Sequence, residues 1–227
     1  DIGASIKRLE VQGTLTSKEL LDIAAVLQVA KAAKQYGDGS DLTEALASRN
    51  QEPVSQTTFD SLTERFNMLL PLEHIASEIN RCILSENEYA DDASSGLKNI
   101  RREIRLTNDK LHQQLDKIIK SDANRDQLQD SLITMRNGRY CIPVKAEYKN
   151  HFPGMIHDQS STGATVFIEP MAIVNLNNEL KELDNQELAE IEKILESLSS
   201  QTAAEIEYIK YDFDTLAELD FIFARAS

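Results

Sequence analysis

Tryptophan is absent from the 227-residue chain, and all aromatic residues together make up only 6% of it. A core of this composition rests on aliphatic side chains, which suits helices that pack along seams of leucine, isoleucine and alanine. Hydrophobic residues make up 41% of the chain and charged residues 27%, a balance typical of folded rather than disordered protein. We expect one large domain or two small ones.

Cysteine is also scarce, because Cys82 and Cys141 stand alone and no CxxC pair occurs. This argues against a thiolate metal site or a redox motif, so both are expected to be small buried residues of a cytoplasmic protein. No apolar run reaches the ~18 residues that span a membrane, and no signal peptide opens the chain, so no membrane partner is expected. The chain begins with Asp1 rather than methionine, which predicts a segment of a longer protein.

Motifs for catalysis are missing as well. The chain contains neither the GxxxxGK[ST] loop of a nucleoside triphosphatase nor the GxSxG elbow of a serine hydrolase. The candidates for acid–base chemistry or metal binding are His151, His157, Asp158 and Glu169. Their spacing matches no zinc pattern. We therefore predict no catalytic residue, no cofactor and no metal site in this chain.

What the chain does contain is helical periodicity over most of its length. Thr16 and Ser17 are good cap residues, and a Gly-Asp-Gly stop signal follows Tyr36. The pattern predicts helices over 16–39, 58–70, 71–84 and 94–120, a polar connection or marginal helix over 40–56, a loop over 85–96, and helices again from 171 to the end. The last part is either two helices or one long helix with a break.

The longest of these helices, 94–120, carries a narrow apolar stripe of the kind found in coiled coils. The stripe residues recur at spacings of three, four and seven and are Leu97, Ile100, Ile104, Leu111, Leu115 and Ile118. Similar stripes follow after Pro170. The sequence thus predicts a mainly α fold, in which a long helix rises and a long helix returns antiparallel to it.

A small β module separates the two long helices. Asn137-Gly138 between two short β-prone runs is a strong hairpin signal, because a type I′ turn needs positive φ at both central positions. Pro143 removes one ladder donor, so its strand is expected to lie at a sheet edge there. A turn at Pro153-Gly154 leads into HDQSSTGATVFIEP, residues 157–170, a hydroxyl-rich turn that runs into an apolar strand.

Negative charge dominates the chain, whose formal net charge is −14, and this argues against nucleic-acid binding over the whole surface. From Glu179 to Asp220, thirteen acidic residues stand against three basic ones, so this arm is expected to be a spacer or a partner face. Between Arg136 and His151, by contrast, four basic residues stand against Glu147, a local balance of +3.

The predicted nucleic-acid-binding residues lie in this β module, where the basic side chains adjoin the hydroxyl-rich turn. They are Arg136, Arg139, Lys145, Lys149, Ser160, Ser161 and Thr162. The cations neutralise phosphates and the hydroxyls and amides donate hydrogen bonds, which positions DNA or RNA without reading its sequence. The alternative is that Gly163 permits a tight turn and the hydroxyls satisfy local backbone groups.

A secondary basic face is predicted on helix 94–120. Its residues are Lys98, Arg101, Arg102 and Arg105, which together with Lys110 stand against Glu103 and Asp109, a balance of +3. A charged helix face is usually a solvated one, and this alternative stays open here.

Three stretches resemble a known family. They are ADDASSGLKNIRREIR (90–105), RNGRYCIPVKAEYKNHFPGMIHDQSSTGATVFIEP (136–170) and NNELKELDNQELAEIEKIL (177–195). They are similar to the second bacterial MutS subfamily, the paralogues distinct from mismatch-recognising MutS, and the resemblance covers the whole chain. It implies a helical core over 1–93, an ascending lever helix over 94–130, a β-rich clamp over 131–170, and returning lever helices over 171–227 that lead to an ATPase domain.

The resemblance also implies what the longer protein does. Full-length members are expected to be homodimers with a MutS-type ATPase, which uses ATP and Mg²⁺, and most carry a C-terminal Smr nuclease. They are expected to bind branched DNA and restrain recombination, or to act on collided ribosomes. This chain would be the clamp and lever module, without enzymatic activity of its own, and the tips of two subunits would close around DNA when the ATPase changes state.

Two alternatives remain. Contact with ribosomal RNA or protein during the rescue of stalled ribosomes needs the same phosphate chemistry as contact with DNA. A structural module, in which the arms transmit motion or dimerise, is favoured by the acidic charge and the aliphatic stripes. Under that hypothesis, replacing Arg136, Arg139, Lys145 and Lys149 with glutamate disturbs self-association and leaves nucleic-acid affinity unchanged.

Overall fold

The computed structural model describes residues 2–37 and 61–226, and the chain divides into two compact units. Unit 1 consists of residues 1–94 and 191–227, and unit 2 consists of residues 95–190. The polar connection predicted over 40–56 lies outside the described residues. The predicted division into core, ascending lever, clamp and returning lever is a functional one and stays a prediction.

The described residues contain eight α-helices and six β-strands, so the predicted mainly α fold is confirmed. The helices are α1 (Gly3–Glu10), α2 (Ser17–Gly37), α3 (Ser61–Asn67), α4 (Glu73–Cys82), α5 (Ser95–Ile119), α6 (Asp122–Arg125), α7 (Val174–Ala204) and α8 (Ile206–Ala226). The strands are β1 (Ile83–Ser85), β2 (Glu88–Tyr89), β3 (Thr134–Arg136), β4 (Arg139–Lys145), β5 (Gly154–Gln159) and β6 (Thr165–Pro170). Short 3₁₀ turns follow β4 (Ala146–Tyr148) and β6 (Met171–Ile173).

Unit 1 is built around α2, whose apolar spacing was sufficient to predict it. The face that it buries consists of Leu20, Ile23, Ala24, Leu27 and Ala30. Hydrogen bonds tie loops to the last two helices of the same unit: the amide of Leu15 donates to Ser199 Oγ at 2.9 Å, and the amide of Leu70 donates to Asp212 Oδ1 at 2.8 Å. The returning segment is two helices, with the break at Glu205.

A small hairpin replaces part of the predicted loop over 85–96. β1 pairs with β2 antiparallel through Ile83 and Tyr89, and the amide of Ala90 donates to the carbonyl of Cys82 at 3.0 Å. The helix predicted over 71–84 is therefore too long at both ends. It begins only after Leu72, which adopts a φ of 36°, and it ends where the backbone becomes extended.

In unit 2, α5 and the first part of α7 run antiparallel. Thr107 Oγ1 donates to Glu179 Oε1 at 2.9 Å, and Arg101 Nε donates to Glu187 Oε1 at 2.7 Å. The contact with the higher residue number in α5 has the lower residue number in α7, so the two helices run in opposite directions. Both polar pairs flank an apolar seam, but a coiled coil and a lever function for these helices stay predictions.

A four-stranded antiparallel sheet in the order β3-β4-β6-β5 occupies the rest of unit 2. Asn137 and Gly138 connect β3 to β4 with φ values of 51° and 73°, which confirms the predicted hairpin turn. The strand that contains Pro143 is an inner strand, so the predicted sheet edge is correct only locally, on the side of β3. β3 begins at Thr134, opposite Cys141, so no residue of β3 pairs with Pro143 and the missing N–H is tolerated. On that side the amide of Gln129 donates to the Pro143 carbonyl at 3.0 Å.

One face of this sheet forms the core of unit 2. Alternate residues of the two inner strands point to that face, and they pack against α5 and α7. The buried cluster contains Ile142, Val144, Val166 and Ile168 from the sheet with Leu111, Leu115, Ile173 and Leu180 from the helical side. The opposite face is also covered at Cys141 and Glu169, both 0% exposed. Cys82 and Cys141 are free and buried, as predicted.

We expect Leu111→Ala to destabilise unit 2 by about 2–5 kcal/mol, because the leucine is 0% exposed and its removal leaves a cavity beneath the sheet. Leu106→Ala on the same helix is the matched control, since Leu106 is 46% exposed. Urea unfolding followed by circular dichroism compares the two. Equal shifts of the unfolding midpoint would contradict the assignment of Leu111 to the core.

Candidate nucleic-acid interface

The predicted phosphate-binding residues fall into two groups at opposite ends of β4. Arg139 begins this strand and Lys145 ends it, so they lie roughly 20 Å apart at about 3.3 Å per residue. Arg136 is paired with Arg139 across the hairpin, whereas Lys145 is paired with Thr165, beside the Ser160–Gly163 turn. The predicted set therefore does not form one cluster.

Arg139 is engaged within the protein, and its side chain is 16% exposed. Its Nε and one Nη donate to the two carboxylate oxygens of Glu169 at 2.7 and 2.6 Å. The same Nη also donates to Asn178 Oδ1 at 2.8 Å. Because Nε and one Nη of the guanidinium are already used, we assign Arg139 a structural role, and a phosphate contact by this residue stays a prediction.

Glu169 is the centre of this network, and its carboxylate is fully buried. Besides Arg139 it contacts Asn177, whose Nδ2 donates to Oε1 at 2.7 Å, and His157, whose Nε2 lies 2.5 Å from Oε2. Burial raises the pKa of Glu169, but the hydrogen bonds from its three partners outweigh burial and hold that pKa below its usual value. The residue considered for metal binding is thus a structural carboxylate.

Arg136 lies on the same face of the sheet and is partly neutralised. Its guanidinium carbon is 4.0 Å from the centre of the Phe167 ring, and its Nε is 3.2 Å from Asp158 Oδ2. The side chain is 36% exposed. A stacked and paired arginine can still meet a phosphate with its free edge, but it contributes less net positive charge than the sequence suggested.

The Ser160–Gly163 turn is stabilised by local hydrogen bonds that involve only some of its groups. The amide of Ser160 donates to the Thr165 carbonyl at 2.9 Å, and the amide of Thr165 donates to Ser160 Oγ at 3.1 Å. Gly163, with a φ of 75°, donates its amide to the Ser160 carbonyl. Ser161 and Thr162 are exposed, and their amides donate to no residue in the described part of the chain.

Two lysines lie at the same end of the sheet as this turn. Lys145 Nζ donates to the carbonyl of Asp126 at 2.8 Å and forms no ion pair with a described residue. Lys149 is exposed and lies just beyond Ala146, whose amide donates to the carbonyl of Ala164 at 2.9 Å. Positive charge and unused donors therefore meet at this end, which we call the Lys145 end of the sheet.

The secondary basic face on α5 is less available than its composition suggests. Arg101 is 21% exposed and pairs with Glu187, and Arg102 Nη lies 3.2 Å from Glu103 Oε1. Lys98 and Arg105 are exposed on the same helix. Arg101 in this way connects α5 to α7, and a nucleic-acid contact by the basic face stays a prediction.

Asn177 is a structural residue that sequence reasoning missed. It is 3% exposed; its Oδ1 accepts from the Tyr140 amide at 3.0 Å, and its Nδ2 donates to the Tyr140 carbonyl at 3.2 Å as well as to Glu169. One sequence feature could have predicted this role: Asn177 lies between Leu176 and Leu180 in the first turn of α7, where a buried polar side chain needs hydrogen-bond partners.

Among residues 2–37 and 61–226, no three or more His, Cys, Asp or Glu side chains are grouped so that they can hold a metal ion. None of their helices combines the length and the apolar character that a membrane crossing requires.

We expect Glu169→Gln to destabilise the protein by about 3–5 kcal/mol, because the neutral amide leaves the Arg139 guanidinium buried without its counter-charge. Asp158→Asn is the control, since Asp158 is 49% exposed and its pairing with Arg136 should contribute less than about 1 kcal/mol. Urea unfolding of both variants measures the difference. A cost for Glu169→Gln as small as that of the control would show that the network is dispensable.

The Glu169 carboxylate should make the free energy of unfolding depend on pH. Because the pKa of Glu169 is lowered by folding, its contribution is complete above the pKa of an unfolded glutamate, about 4.3, and is lost as pH falls through the lower folded pKa. Unfolding free energies measured for the wild type and Glu169→Gln should therefore differ by a constant amount above about pH 5.5 and converge in stronger acid. A difference that grows as pH falls would contradict this sign.

Comparison with known proteins gives close relatives along the whole chain. It is 55% identical over 226 residues to "Endonuclease MutS2" of Lachnoclostridium phytofermentans, covering 100% of this chain and 27% of that protein. It is 50% identical over 227 residues to the protein of the same name from Agathobacter rectalis, and 46% identical over 226 residues to that of Lachnospira eligens. The chain covers 27% and 26% of these two proteins.

No protein-family model matches the chain. The relatives nevertheless align from one end of it to the other, and their shared name agrees with the resemblance carried by residues 90–105, 136–170 and 177–195. The chain spans about a quarter of the length of these curated relatives, and it belongs to the MutS2 family.

Proposed function

We propose that unit 2 is the nucleic-acid clamp of a MutS-like protein and that it holds branched DNA by its phosphates at the Lys145 end of the sheet. The observation that carries this proposal is the convergence of Lys145 and Lys149 with the exposed part of the Ser160–Gly163 turn. Cations and hydrogen-bond donors are the groups that phosphate oxygens require, and they position a nucleic acid without reading its bases.

Each of these residues has a distinct role in the proposal. The Lys145 ammonium has three donors, of which one is used by Asp126, so it can contact a phosphate without leaving its place. Lys149 supplies a second charge. The hydroxyls and amides of Ser161 and Thr162 donate to phosphate oxygens, while Ser160 holds the turn through its bonds with Thr165.

The name of the relatives supports a nucleic-acid ligand, since an endonuclease must contact one. For the whole protein we propose a homodimer that hydrolyses ATP with Mg²⁺, cleaves nucleic acid and limits recombination. In that protein α7, a continuous helix of 31 residues and about 46 Å, acts as the lever that moves the clamp. No residue of this chain is assigned to catalysis.

We expect the double variant Lys145→Glu and Lys149→Glu to weaken binding of the chain to a four-way DNA junction and to reduce the slope of log K against log salt by about two. Fluorescence anisotropy between about 50 and 200 mM salt measures both quantities. Lys7→Glu with Lys18→Glu is the control, because it changes the net charge equally at exposed lysines that belong to unit 1.

Each outcome of this measurement has a definite meaning. Equal losses in the two double variants would reduce the effect to net charge and contradict a grip at the Lys145 end. An unchanged affinity together with altered self-association, measured by sedimentation, would favour the structural module. Ribosomes and a hairpin RNA serve as competing ligands, and preference for either over the junction would contradict branched DNA as the ligand.

Arg139 is left unchanged in these tests because it is bound to Glu169.

A further inference from the structure

A small cavity opens beside the β3–β4 hairpin, wholly within unit 2. Its volume is about 240 Å³, and we call it the hairpin niche. Its lining includes Asn108 from α5, Met135 and Tyr140 from the hairpin, and Lys181 and Asp184 from α7. Tyr140 is adjacent in β4 to Arg139, so the two side chains point to opposite faces of the sheet. The niche therefore opens on the face opposite Arg139, and it shares one lining residue, Asn177, with the Glu169 network.

Tyr140 is held in the lining of the niche by contacts with three residues. The Tyr140 hydroxyl donates to Asn108 Oδ1 at 3.1 Å, and its ring packs edge-on against His112 with 5.2 Å between ring centres. Asn177 binds the Tyr140 backbone on both sides, through its Oδ1 and its Nδ2. Gly138 borders the niche, and a Cβ added there would meet nothing within 4 Å, so the hairpin turn leaves the entrance open.

Several polar groups at the niche lack partners. Asn108 Oδ1 is used by Tyr140, but its Nδ2 donates to no residue in the described part of the chain. Lys181 and Asp184 are exposed at the rim and form no ion pair with a described side chain. Met135 is 52% exposed and provides a flexible apolar wall. An aromatic side chain, hydrogen-bond donors and a carboxylate acceptor thus line the same cavity.

We propose that the hairpin niche binds one unpaired nucleobase, an inference that rests on the proposed nucleic-acid binding of unit 2. The volume is below the roughly 300–1,000 Å³ of pockets for drug-sized ligands, so it suits a single planar ring system rather than a whole nucleotide. Met135 and the Tyr140 ring contact the faces of the base, and Asn108 donates to its edge. Asp184 accepts from an exocyclic amino group, and Lys181 meets the adjoining phosphate.

A base in an intact duplex cannot enter, because it is stacked and paired on both sides. The niche therefore selects nucleic acids that carry an unstacked base at a branch, a bulge or a single-stranded end. The niche would thus distinguish between nucleic acids by an unstacked base, whereas the phosphate contacts at the Lys145 end bind every sugar-phosphate backbone equally. Bulged and branched ligands should thus be preferred over a plain duplex of the same charge.

The test compares two four-way junctions that differ by one unpaired 2-aminopurine nucleotide near the branch. We expect the chain to bind the junction with the extra base about tenfold tighter, within the range that base stacking on side chains contributes, and to change the fluorescence of the 2-aminopurine. Asn108→Leu and Met135→Ala should abolish this preference and leave affinity for the fully paired junction unchanged. Met135 is exposed, so its replacement does not threaten folding.

The outcomes separate this inference from the proposed function. Salt-dependent binding of both junctions with equal affinity overturns the niche and leaves the phosphate grip intact. A tenfold preference that survives in both niche variants also overturns it, because the base is then bound elsewhere. Absence of binding to either junction overturns both proposals. Lys145→Glu with Lys149→Glu should weaken binding of the two junctions equally and keep the preference between them.

Discussion

A buried carboxylate without partners is among the most expensive groups a protein can contain, and unit 2 places one at the end of its central strand. Glu169 on β6 is fully buried, and its partners come from three other elements: Arg139 on β4, His157 on β5 and Asn177 on α7. Each of these elements must be in place before the charge is satisfied. The network therefore fixes the sheet against the start of α7, and the positions of both proposed binding features follow from it.

The number of basic residues does not by itself decide which parts of this acidic chain can contact a phosphate. What decides it is whether each basic side chain is already paired with a carboxylate or stacked on a ring. Two arginines of the β module and two of α5 contact carboxylates or an aromatic ring. The lysines at the other end of the sheet keep most of their donors. Arginine forms bidentate and planar stacked contacts that a lysine cannot, so within this module the arginines are engaged inside the fold and the lysines keep donors that a ligand could use.

Local features were predictable from the sequence because their causes are local. Asn137-Gly138 predicted the hairpin since few other residues accept positive φ at two successive positions, and the observed values are 51° and 73°. α2 and α5 followed from apolar spacing. The β1–β2 hairpin did not, because Ile83 and Leu84 continue the apolar pattern of α4 and only pairing with Tyr89 makes them extended. The sequence did not show that β4 is an inner strand, since the strand order depends on contacts distant in sequence.

The sequence by itself determined the family, the mainly α character, the hairpin turn and the concentration of basic and hydroxyl groups between 136 and 170, because each is a property of neighbouring residues. Only the tertiary structure decided which of those groups are available. Arg139 and Lys145 look alike in the sequence, yet one is bound to a buried carboxylate while the other lies about 20 Å away at the exposed end of the same strand. Burial and pairing depend on what the fold brings together, and residue type alone does not specify them.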